Sequence, residues 1–164
     1  MNFGLEIESF ADKKEQEKQT RNIWLDNVEA CIQNQGAIET ARAILRNALV
    51  QFPEKKKLWM KTQKLENEFG TTESLCRLLQ RGVETAKHEF LFILLAKALW
   101  KKLGRSEDAL EVLRQGLKEH EGAEDLVLAL QKLYRDLGLF KEAIELLDEA
   151  VAKYATDRIW MQAV

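Results

Sequence analysis

Apolar residues along this chain recur in a fixed frame. Gly36, Gly70, Gly104 and Gly138 follow one another at intervals of 34 residues. Twelve places before each glycine stand Trp24, Leu58, Phe92 and Leu126. Eight places before stand Val28, Thr62, Ala96 and Leu130, and five before stand Cys31, Leu65, Leu99 and Leu133. The steps of four and three put these residues on one face of an α-helix. A second stripe follows each glycine. It starts at Ala41, Leu75, Ala109 and Ala143 and runs through Leu45, Leu79, Leu113 and Leu147. It reaches Ala48, Gly82, Gly116 and Ala150, a row of small residues that predicts a close helix–helix crossing.

Each period therefore predicts a helix A, a glycine turn and a helix B. The four glycines are expected to end the A helices in the left-handed conformation, where a Cβ is costly. Thr71 and Ser106 are expected to cap the B helices that follow. One such pair cannot bury its own apolar face, so neighbouring pairs must stack. The expected fold is all-α: a right-handed superhelical solenoid of antiparallel helix pairs. Four pairs are expected over about 20–53, 54–87, 88–121 and 122–156, after a charged lead-in or partial repeat at 1–19. Trp160 lies 34 places after Leu126, so 157–164 reads as the start of a truncated fifth repeat, and the chain as part of a longer array.

Composition narrows the function. The chain has 164 residues, 25 Lys and Arg against 27 Asp and Glu, and a net charge of −2. That lacks the basic excess of a stand-alone nucleic-acid binder. One proline and eight glycines suit a helical chain. Cys31 and Cys76 stand far apart in apolar surroundings and read as reduced thiols, not as a disulfide or zinc framework. No apolar run has the length of a membrane span, and Lys97 interrupts the greasiest one, 90–100. The N-terminus lacks the pattern of a signal peptide.

No phosphate loop, HExxH or nucleophile elbow is present, so the sequence offers no catalytic residue, metal ligand or cofactor site. His88 falls between two repeats, and His120 shares the place of Phe52, Ala86 and Tyr154. The carboxylates follow helical spacing and read as a solvated face.

Residues 23–84 hold a tryptophan, then "ETARAI", "AL", "FP", "KK", a second tryptophan, "LE", "GT", "ESL" and "LLQR", in that order. This resembles the half-a-tetratricopeptide (HAT) repeat, and within it the pre-mRNA-processing factor 6 family. From Phe90 to Tyr154 the pattern looks more like plain tetratricopeptide units. The resemblance implies a non-catalytic scaffold of the spliceosome, in the nucleus, joining parts of the U4/U6·U5 tri-snRNP. The implied partners are other spliceosomal snRNP proteins, with RNA contact secondary and no membrane or small-molecule substrate. RNA binding by a HAT protein in 3′-end or ribosomal-RNA processing, and a general tetratricopeptide adaptor, are the competing readings.

Within that frame Trp24, Gly36, Ala41, Pro53, Trp59, Glu66, Gly70, Gly104 and Gly138 are expected to be structural signature residues. Trp24, Trp59 and Trp160 are expected to open A helices and anchor one unit on the next. The resemblance gives Glu66 the role of tying its helix to a neighbour. Lys61, Lys64, Lys97, Trp100 and Lys101 are the candidate partner-binding face. Lys55, Lys56 and Lys57 follow Pro53 and read as solvated punctuation between two helices.

Overall fold

A computed structural model of the chain describes residues 3–154 and 159–161 (side chains 3–9 and 35 excepted). All regular structure among the described residues is helical. The chain divides into two compact units, Met1–Phe69 and Gly70–Val164.

The first unit contains α1 (Phe3–Gln33), a one-turn 3-10 helix (Gln35–Ala37), α2 (Ile38–Gln51) and α3 (Lys56–Phe69). Its core is Val28, Ala41, Leu45 and Leu65, with Cys31, Ile32, Ile38 and Ile44 packed against it. These are the positions that the 34-residue frame places on the facing stripes of A and B. Trp24 meets Phe52 edge-on at 6.1 Å, and the Arg21 guanidinium lies 5.4 Å from the Phe52 ring centre. Trp24 does not open a helix. It lies inside α1, which is 31 residues long and takes in the lead-in from Phe3 onward. No proline interrupts this stretch, and Thr20 donates its hydroxyl back to the Gln16 carbonyl at 2.9 Å instead of capping a new helix, so no break marks a repeat boundary near residue 20.

The second unit contains α4 (Thr72–Ala86), α5 (Glu89–Leu103), α6 (Ser106–Glu119), α7 (Glu124–Asp136) and α8 (Phe140–Tyr154). Each helix packs on the next, and α5 also touches α7. With α4, α6 and α7 around it, α5 buries seven residues, including Leu91, Phe92, Leu95 and Leu99. That explains the greasy run at 90–100: it is a core helix covered on several sides. Ile159 resumes the helical stripe and is buried with Val127, Leu147 and Ala150.

The row of small residues marks close crossings. A Cβ on Gly116 would stand 2.9 Å from Phe92 Cγ and 3.1 Å from Leu126 Cδ2. The A helices of its own and the following repeat therefore both press on α6 where it has no side chain. His120, one turn further on, meets the edge of Phe92 at 5.8 Å and contacts the Lys87 carbonyl. Trp24 with Phe52 and Phe92 with His120 are the same pair of repeat positions, filled by different rings.

Two of the four turn glycines behave as expected. Gly104 and Gly138 have φ of 65° and 76°, and in each turn a backbone N–H beyond the helix returns to a carbonyl of its last turn. Gly36 and Gly70 do not adopt a positive φ. Gly36 sits within the 3-10 helix, where the Ala37 N–H donates to the Asn34 carbonyl at 2.8 Å. Thr71 does cap α4, its hydroxyl accepting from the Ser74 N–H at 3.2 Å. Ser106 does not cap α6. It is the first helical residue, and Arg105 holds the capping place without a side-chain bond.

Candidate functional site

In two of the four repeats a polar side chain four residues before the glycine links to the preceding repeat. In the first unit that place is Glu66 on α3. Arg42 on α2 donates to its carboxylate at 2.8 Å, to the Phe69 carbonyl at 3.0 Å, and also to Glu39. One guanidinium thus spans the junction and satisfies a carbonyl at the end of α3, where a cation is favoured by the helix dipole. The corresponding residue on α7 is Tyr134. Arg114 on α6 donates to its hydroxyl at 3.1 and 3.3 Å and lies 5.9 Å from its ring centre. On α5 the same place is held by Trp100. The family resemblance pointed to Glu66 and the frame to Trp100, but neither pointed to Arg42, Arg114 or Tyr134 as a link. The two arginines stand at different B-helix positions, one helical turn apart, so no fixed spacing reveals them.

Of the candidate partner-binding residues, α5 brings three together. Lys97, Trp100 and Lys101 share one face at i, i+3 and i+4. Both lysines are exposed and Trp100 is half-buried, with the Lys101 ammonium 5.3 Å from its ring centre. Lys61 and Lys64 stand on α3 in the other unit. Lys61 is already engaged in an ion pair with Glu29 of α1. The hydrogen bond and charge of Lys61 hold the Glu29 carboxyl below its usual range, aided by Lys64. Lys64 is exposed.

Charge is unevenly distributed in the second unit. Residues 70–105 carry seven Lys and Arg against three Asp and Glu, whereas residues 106–154 carry six against twelve. The Lys97–Trp100–Lys101 face therefore lies on the basic side, net +4 by that count, and α6–α8 form the acidic side, net −6. A whole-chain charge of −2 conceals both.

The remaining sequence candidates divide between buried and exposed positions. Trp59 is buried and donates its indole N–H to the Pro53 carbonyl at 2.8 Å. Ala41 is fully buried. Lys55 pairs with Glu54 at 3.2 Å, and Lys56 and Lys57 are exposed in the first turn of α3. Trp160 is half exposed. His88 precedes α5 and stacks on Phe90 at 5.7 Å. Cys31 and Cys76 are half-buried free thiols, and burial pushes the Cys76 thiol up. Among the described residues no cluster of histidine, cysteine and carboxylate could hold a metal, and no helix is long and apolar enough to cross a membrane.

This architecture defines a class: a tetratricopeptide-like helical-repeat scaffold. Residues 102–163 match the tetratricopeptide-repeat family model. The fold is shared with a thermophilic tetratricopeptide-repeat protein of Thermus thermophilus, at a TM-score of 0.52 and 19% identity over 83% of this chain and 77% of that one. It is shared also with MamA, at a TM-score of 0.51 and 16% identity over 93% of this chain and 88% of that one. Tetratricopeptide repeats generally mediate protein–protein contact. One curated relative is more particular. The chain is 38% identical over 64 residues to pre-mRNA-splicing factor prp1 of Schizosaccharomyces pombe. That match covers 39% of this chain and only 7% of the yeast protein.

Proposed function

We propose that this chain is a non-catalytic interaction scaffold of the nuclear splicing machinery, holding other snRNP proteins together in the U4/U6·U5 tri-snRNP. The observation that carries the reading is the 38% identity over 64 residues to a splicing factor, on a fold whose repeats serve protein–protein contact. The contact surface we assign is the α5 face with Lys97, Trp100 and Lys101. It combines two exposed cations with an aromatic ring on the basic side of its unit, a setting for an acidic protein segment. Affinity purification of the tagged chain from nuclear extract, with proteins and small RNAs identified together, tests the proposal. Recovery of U4, U5 and U6 snRNP proteins that survives RNase and drops with Trp100→Ala is the expected result. Recovery of chaperones alone would rule it out, and complete loss on RNase treatment would instead favour direct RNA binding.

A further inference from the structure

On the acidic side of the second unit, α6 and α8 flank a groove of about 650 Å³ whose floor is α7. The floor is apolar: Val127 and Leu130, with Leu117 and Leu146 half-buried at its sides. The rim alternates in sign, with Glu111, Arg114, Lys118 and Glu121 from one wall and Glu149 and Lys153 from the other. Two of its cations are already engaged. Arg114 is fixed on the Tyr134 hydroxyl at 3.1 Å, and Lys153 is paired with Glu149 at 3.0 Å. The rim is balanced in number, so selectivity comes from the wider field, and α6–α8 carry twelve carboxylates against six cations.

From this geometry we infer that the groove between α6 and α8 is a second docking surface, which takes a basic amphipathic protein segment. A large aliphatic side chain of the segment enters over Leu130 and Leu146, and its lysines or arginines meet Glu111 and Glu121. The inference does not depend on the spliceosomal reading. It gives one unit two surfaces of opposite preference, α5 for acidic segments and the α6–α8 groove for basic ones.

Fluorescence anisotropy tests it with the full chain carrying Lys97→Gln and Lys101→Gln, which removes the α5 cations that would take an acidic segment and leaves the groove unchanged. Two labelled peptides of about twelve residues share one leucine face and differ only in carrying lysine and arginine or aspartate and glutamate on the other. The basic peptide is expected to bind at least about tenfold tighter at low salt and to weaken as salt rises. Glu121→Lys with Glu111→Lys, and separately Leu146→Gln, should each reduce its affinity about fivefold or more, with unchanged circular dichroism in the charge variant. Should Leu146→Gln unfold the chain, the charge variant decides alone, because both its positions are exposed. Equal binding of the two peptides, preference for the acidic one, or indifference to the charge variant would overturn the inference.

Discussion

At the scale of single residues, the junction between repeats depends on few atoms. Arg42 is half-buried and makes three different contacts, two of them on α3. Charge-assisted hydrogen bonds in such a setting contribute about 1–3 kcal/mol, more than an exposed surface pair. Arg42→Ala should therefore destabilise the chain by about 2 kcal/mol in chemical denaturation. Arg46→Ala, at an exposed position one turn along the same helix, should stay within about 0.5 kcal/mol of wild type. A second residue-scale link is sensitive to acid. The Glu29 carboxyl is held below its ordinary value near 4.5 by Lys61. A carboxyl with a depressed folded-state pKa contributes stability above its unfolded value, and that contribution is lost as pH falls through the folded one. Lys61→Met should lower Tm at pH 7, and the difference from wild type should vanish on acidification well below 4.5. A difference that persists undiminished in acid would mean that Lys61 acts through the packing of its stem and not through Glu29.

At the scale of elements, the close crossing at α6 is decided by what is missing. In an ordinary exposed helix Gly→Ala gains about 1 kcal/mol. At Gly116 the new methyl would press on Cβ and Cγ of Phe92, atoms tied close to the α5 backbone, and on Leu126 from α7. Overpacking of this kind costs about 1–3 kcal/mol, so the sign reverses. Gly116→Ala should lower the denaturation midpoint, and Phe92→Leu in the same chain should recover part of the loss. Additive effects of the two changes would show that the contact is not what limits the site. This crossing was legible from the row Ala48, Gly82, Gly116 and Ala150, because burial and small size recur there at a fixed period. The helices and most core positions were legible for the same reason. Other features were not. Gly36 and Gly70 share the place of Gly104 and Gly138 but not their backbone conformation, since a glycine permits a left-handed turn without requiring it. Arg114 and Tyr134 were invisible because side-chain reach, not sequence spacing, brings them together. The groove beside them needs three helices to exist.

At the scale of the whole molecule, stability should be graded along the chain. Helical repeats contact their neighbours only, so each helix is as stable as the helices it touches. The two ends of α1 show the contrast within one helix. Val28 is fully buried, yet residues 10–19 are exposed apart from the half-buried Glu17, and Phe10 is 69% exposed. A helical segment of that length without a packed face is marginal in water. By contrast, α5 buries seven residues among three neighbours. Native-state hydrogen exchange should therefore show three levels. Amides of α5 should exchange only through large-scale opening, those around Val28 through opening of the first unit, and those at 12–20 within about tenfold of an unstructured peptide. Protection at 12–20 equal to that around Val28 would mean that this face of α1 is covered in solution. The exposed Phe10 side chain would then belong to an interface, and the repeat of the measurement at tenfold lower protein concentration would tell a second copy from an internal contact, because only the former dissociates on dilution.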